Sequence, residues 1–197
     1  MKLYLSTIGI AMAVISALNI AFKTAPWYYV MTAVVWCTVL CFALDGAIAL
    51  LINKMPDKWF GVDNPLFKVS EREQKLYKKL RVRRWKDKVW ELGGLGGFSK
   101  KKLKEPSDPK YIEKFIVECN KGVLTHRLSY PIGFLTMATL FGICLLTIAL
   151  PVAVVNMCLN ILPTLALRYN TPKLKAILKR LNRQSNAQKV IDTDNVR

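Results

Sequence analysis

One histidine, His126, stands in a chain of 197 residues, and acidic side chains number only 13. A catalytic zinc or di-iron centre recruits several His or Cys ligands, so a single imidazole argues against such a metal site. No metal is expected. The five cysteines are an odd number, and Cys37, Cys41, Cys144 and Cys158 fall in apolar stretches without metal-ligand spacing. They read as small core residues rather than ligands or disulfide partners. A nucleotide fingerprint is missing as well. The cluster Gly93, Gly94, Leu95, Gly96 and Gly97 follows no predicted strand and precedes no suitably spaced acid, so it reads as a flexible connector and a candidate lid.

Charge is absent from whole stretches. Residues 3–22 are uncharged and apolar, about the length needed to cross roughly 30 Å of hydrocarbon. That run is long for a signal peptide and follows a single basic residue, so it reads as a retained first helix. A short polar turn at Lys23 to Pro26 leads into a second run, 27–52, opened by Trp27, Tyr28 and Tyr29 as an interfacial aromatic belt. Only Asp45 interrupts it. An acid in such a helix is a functional candidate, and its alternative is a place near the helix end. From Tyr130 to Leu167 there are 38 residues without a charged side chain, too many for one crossing. Two tight crossings, about 130–149 and 151–167, are expected, with a re-entrant hairpin as the alternative; Pro131, Pro151 or Asn156 would mark kinks or the turn.

What is present in excess is positive charge. Lys and Arg number 30, the net charge is +17, and 52% of the residues are hydrophobic. That combination points to a membrane protein with cationic parts facing an anionic surface or substrate, not to a nucleic-acid binder. Residues 53–128 hold twenty of the thirty basic side chains, and 168–197 form a basic tail whose last dozen residues read as disordered. Lys/Arg-rich loops stay cytoplasmic. The expectation is therefore a single all-α integral membrane domain with about four transmembrane helices and amphipathic interfacial helices in a basic cytosolic loop. It would be multi-pass in the cell membrane with both termini cytoplasmic.

Within the loop, Asn64 and Pro65 signal a turn, and Ser70 with Glu73 has capping-box spacing. Leu76, Tyr77 and Leu80 among lysines then make a helix suited to the headgroup plane. The run Arg83, Arg84, Trp85, Lys86, Asp87, Lys88 reads either as a solvated basic face or as a phosphate site. In the second reading Arg83 and Lys86 bind phosphate, Trp85 anchors at the interface and Asp87 orients a cation. Asp108 and Pro109 start a further helix. Tyr111, Ile112, Phe115, Ile116, Val123 and Leu124 recur on it at helical spacing. Glu118, Gly122 and His126, at i, i+4 and i+8, follow one side.

MPDKWF at 55–60, LFK at 66–68, KLYKKLRVRRWKDK at 75–88, IEKFIVECNKGVLTH at 112–126 and LRYNTPKLKAILKR at 167–180 together resemble the glycosyl-4,4'-diaponeurosporenoate acyltransferase family. These are small membrane enzymes that acylate a carotenoid glycoside in staphyloxanthin-type biosynthesis. The chain differs from that pattern in a fuller first helix pair and an insertion around the glycine cluster. The resemblance implies esterification of a sugar hydroxyl on a lipid-linked glycoside. It singles out Arg83, Trp85 and Lys86, then Glu118 and His126, and finally Arg168, Tyr169, Asn170 and Pro172. Residue chemistry agrees: transfer to a hydroxyl needs a base near neutral pH, which imidazole supplies. His126 would take the hydroxyl proton and Glu118, two turns away, would hold the imidazolium, while Arg168 or Asn170 stabilises the oxyanion. With no Ser or Cys in a nucleophile motif, direct transfer from acyl-CoA or acyl carrier protein is expected, without a cofactor. The competing class is a non-enzymatic membrane protein whose basic face binds anionic lipid or a partner complex.

Overall fold

In a computed structural model of the protein, residues 2–89 and 103–194 are described, with side chains described for 4–89 and 103–187. The glycine cluster at 93–97 lies outside the described residues. The chain divides into two compact units: residues 1–54, 88–90 and 123–164, and residues 55–87, 91–122 and 165–197. The described secondary structure is helical throughout.

The first unit opens with α1 (Lys2–Ala21) and α2 (Trp27–Lys54). Thr24 closes the turn between them by donating from Oγ1 to Asn19 Oδ1 at 2.8 Å. Leu5, Ile10, Val14 and Leu18 of α1 and Trp36, Val39, Leu50 and Leu51 of α2 turn outward. Large apolar side chains on an outer face are what a lipid-facing helix presents. The unit also takes the end of α5 (Pro109–Ile132), a 3₁₀ segment at Gly133–Thr139, a π segment at Leu145–Ala149 and the start of α6 (Leu150–Asp194). Val30, Val34, Cys37 and Cys41 pack with Leu140, Cys144, Ile148 and Ala149 as one core. Cys37, Cys41 and Cys144 are thus core residues of this unit, whereas Cys158, expected in the core, is exposed.

Among the described residues, three helical stretches are long and apolar enough to cross a membrane: Tyr4–Ala21, Trp27–Lys54 and Leu145–Ala187. The crossing expected at 130–149 is not one continuous helix, and local chemistry explains why. Thr136 and Thr139 donate from Oγ1 to the carbonyls of Gly133 and Thr136, at 2.8 and 2.7 Å. Such back-bonding competes with helical hydrogen bonds. Leu140 is extended, and Gly142 has φ of +60°, a conformation side chains disfavour. The segment packs beside the middle of α2, where Trp36 Nε1 donates to Thr139 Oγ1 at 3.3 Å and Cys41 Sγ lies 3.9 Å from the Gly133 carbonyl.

Pro151 then begins the last helix with no N–H to give the carbonyl of Thr147, four residues back. Asn19 of α1 supplies the missing donor, with Nδ2 at 2.9 Å from that oxygen. The π segment sits at this irregularity, as such bulges commonly do.

In the second unit, a 3₁₀ turn at Asp57–Phe60 is pinned by Asn120, whose Nδ2 donates to the Phe60 carbonyl at 2.8 Å. The Phe60 and Phe67 rings meet at 5.9 Å. Helix α3 (Glu71–Lys79) has the full capping box expected from Ser70 and Glu73. Short α4 (Val82–Trp85) follows the left-handed Arg81, and Asp108 caps the start of α5 by accepting from the N–H of Lys110. Ile112, Phe115, Ile116 and Cys119 form the buried face of α5 in this unit. Helix α6 continues to Asp194, so the tail expected to be disordered in its last dozen residues is helical that far. Its residues after Pro172 include neither proline nor glycine to stop it.

Replacing Asn19 with Leu leaves the Thr147 carbonyl without this donor. The expected loss is about 1–3 kcal/mol, read as a lower thermal midpoint in detergent; an unchanged midpoint would show that the contact is dispensable.

Candidate functional site

In the first unit the sole histidine joins a chain of polar groups on three helices. His126, half-buried on α5, has Nδ1 2.8 Å from Oδ1 of Asn160 on α6. The Asn160 amide nitrogen donates to Asp45 Oδ2 on α2 at 2.9 Å and to the Asn156 carbonyl at 3.1 Å. Asn156 Nδ2 approaches the other carboxylate oxygen at 3.4 Å. Asp45 stands nine residues before the end of α2, roughly 13 Å along its axis. Asn156 and Asn160 are 9% and 6% exposed, so their amides are satisfied from within the protein.

Glycine makes room for this arrangement. A Cβ on Gly133 would stand 2.9 Å from Asn156 Nδ2, too close for the amide to keep its place. Asn156 also lines a small, mostly apolar crevice among Tyr4, Ile8, Ile15, Phe42 and Val152.

Arg168 occupies a different setting, in the second unit. Its guanidinium grips Glu73 with two N–H groups, Nε to Oε1 at 2.9 Å and Nη2 to Oε2 at 2.7 Å, and Nη2 also reaches the Lys68 carbonyl at 3.0 Å. The Tyr77 hydroxyl donates to Glu73 at 2.9 Å. Burial pushes the Glu73 carboxyl up, but bonds from Arg168, the Ser70 N–H and Tyr77 outweigh it and hold the group at about 2. Arg168 therefore clasps α3 and the turn before it to α6. Its Nη1 is buried without a partner among the described residues.

Glu118, the acid expected to hold the imidazolium from two turns away, lies in the second unit. Glu118 lies 3.9 Å from Lys121 Nζ, and Lys121, whose side chain is 8% exposed, also pairs with Asp57. Arg83 is exposed on α4, Trp85 donates from Nε1 to the Leu80 carbonyl at 3.1 Å, and Lys86 pairs with Asp87 at 2.6 Å. Tyr169 accepts at its hydroxyl from Lys173, whose ammonium also sits 4.1 Å from the ring centre. Asn170 is half-buried on α6. Asn160 is absent from the residues that the sequence singles out, although a signal is there: Asn156, Asn160 and Thr164 recur every four residues, a polar stripe in an apolar helix.

Membrane-length helices and an imidazole, amide and carboxylate held in series define the class: an all-helical protein with a polar site in an apolar surround. The chain belongs to the glycosyl-4,4'-diaponeurosporenoate acyltransferase family, whose model matches residues 56–180. Its description implies an acyltransferase acting on a glycosylated carotenoid. The match includes His126, Asn156, Asn160 and Arg168, whereas Asp45 precedes it. Comparison with curated proteins and with solved structures returned no significant match.

Glu73 titrates at about 2 when folded, against its ordinary 4.5. A depressed carboxyl stabilises the fold fully above the unfolded value and stops doing so as the pH falls through the folded one. The difference in thermal midpoint between the wild type and Glu73→Gln should thus be constant above about pH 4.5 and close between there and pH 2. A gap that persists at pH 2 would assign the stabilisation to something other than this charge.

Proposed function

We propose that the protein moves a long-chain acyl group from a thioester, acyl-CoA or acyl carrier protein, to a hydroxyl of a glycosylated, carotenoid-type lipid, with His126 as general base. The observation that carries this reading is the 2.8 Å contact between His126 Nδ1 and Asn160 Oδ1, which holds the chain's one imidazole in a fixed orientation. A base must be placed before its basicity matters.

The steps need no covalent enzyme intermediate. His126 removes the proton of the acceptor hydroxyl while its oxygen attacks the thioester carbonyl. The tetrahedral intermediate collapses with loss of the C–S bond, the ester forms, and the departing thiolate takes the proton from the imidazolium. Arg83 and Lys86, in the basic segment with Trp85 and Asp87, suit the phosphates of the carrier, since charge-assisted bonds to phosphate are strong and geometrically selective. Tyr169 and Asn170 offer polar groups for the sugar. Arg168 supports the fold through Glu73 instead of meeting an oxyanion with those same N–H groups.

The membrane arrangement follows from charge. Residues 53–128 and the region after 168 are both basic, and basic flanks favour the cytoplasmic side. Three full crossings would separate them. The end of α5 and the 3₁₀ segment, lying along α2 between Cys41 and Trp36, serve as the remaining arm, so that α6 returns to the side that α5 left. Both termini are then cytoplasmic in a multi-pass protein of the cell membrane. Irregular backbone is tolerated at such depth where protein covers it, and Thr136 and Leu140 are buried.

His126→Ala should insert and express as the wild type does but lose turnover by about a hundredfold to ten-thousandfold, the usual contribution of a general base. Turnover is measured with a long-chain acyl-CoA and a glucosylated carotenoid in detergent. Wild-type turnover in the purified variant would sink the assignment of the base. An unchanged lipid profile in cells lacking the protein would favour a non-enzymatic role for the basic face.

A further inference from the structure

We propose that Asp45 is a positioning residue that sets the tautomer of His126, an inference that rests on the reading of His126 as the base. One amide makes the link. Asn160 can be built two ways round, and only its surroundings decide which end faces the imidazole. Its nitrogen position is ringed by three acceptors: Asp45 Oδ2 at 2.9 Å, the Asn156 carbonyl at 3.1 Å and Asn156 Oδ1 at 3.4 Å. Oxygen at that position would face oxygen on every side, including a carboxylate that can only accept. The amide is therefore held with its nitrogen toward Asp45 and its oxygen toward His126.

The consequence passes to the ring. Asn160 Oδ1 is an acceptor, so the imidazole nitrogen 2.8 Å away must be the one that carries hydrogen. In the neutral ring Nδ1 is then the donor and Nε2 holds the lone pair. Nε2 is the basic atom that general-base chemistry needs. An acid, an amide and an imidazole here do what a carboxylate does directly in a hydrolase triad, with the amide relaying orientation instead of charge. It also accounts for a carboxylate kept inside a membrane-length helix, a costly placement without a task.

The histidine is unique, so labelling with ¹⁵N-histidine reports this ring alone. In the purified wild type at a pH where the ring is neutral, Nδ1 should give the protonated-type nitrogen signal and Nε2 the unprotonated type. Asp45→Leu should move the population toward protonated Nε2 and lower kcat at least tenfold with little change in KM. Asp45→Asn, which keeps an acceptor oxygen, should retain most of both signatures. It also serves as the readout if the leucine variant fails to fold. Protonated Nε2 in the wild type overturns the inference, as does an Asp45→Leu enzyme with wild-type tautomer and kcat. Protonated Nε2 together with an inactive His126→Ala would defeat the tautomer inference alone. Protonated Nδ1 together with a fully active His126→Ala would defeat the base reading instead.

Discussion

A carboxylate inside a membrane-length helix has to find its hydrogen-bond donors within the protein, and that requirement at Asp45 organises the first unit. Hydrocarbon offers no donors, so the partners must come from neighbouring helices. They are the amides of Asn156 and Asn160, which sit one turn apart on α6 and so face the same side. The approach of Asn156 requires Gly133 to lack a side chain, and the orientation of Asn160 presents an oxygen to His126. Residues from α2, α5, α6 and the 3₁₀ segment are thereby tied to one acid.

A second constraint of the same kind shapes the backbone. Pro151 removes a donor that the Thr147 carbonyl would otherwise use, and Asn19 restores it from another helix. Irregular backbone between α5 and α6 survives because each departure from helix is met locally: threonine hydroxyls serve two carbonyls, and Gly142 takes the conformation that a side chain would resist. The irregular stretch therefore departs from one straight helix while Thr136 and Leu140 stay buried. It also brings Gly133, the small residue that the site needs, beside Asn156.

Much of this is legible from residues alone, to the extent that the physics is local. Uncharged runs of membrane length become α1 and α2, the Ser70 capping box forms, and Asp108 caps α5. The stretch from 130 to 167 is harder, because hydropathy registers apolar length but not the side-chain back-bonds that unwind a helix. Helical spacing makes Glu118 a fair candidate for the orienting acid, and the same helix also brings Lys121, three residues on, to 3.9 Å from its carboxylate. Asp45 stands out in the sequence as an anomaly. Its tie to His126 runs through Asn160, 115 positions from the acid and 34 from the imidazole, and no periodicity reports such a link.

The two acids that matter most do opposite work, and the contrast bears on why acyl transfer suits this protein. Glu73 faces a guanidinium in a bidentate pair and is held ionised far below neutrality, which makes it a fastener. Asp45 accepts from the amides of Asn156 and Asn160, so its directional preference is passed on. Acyl thioesters are exposed to competing hydrolysis, and the proposed reaction gains from a base oriented by buried amides rather than by bulk water. A fixed amide also costs no reorganisation when the ring takes up a proton, because the oxygen that accepts from the neutral imidazole accepts equally from the imidazolium. The same geometry then serves the ring before and after proton transfer, which is what a base that must also return its proton to the leaving thiolate requires.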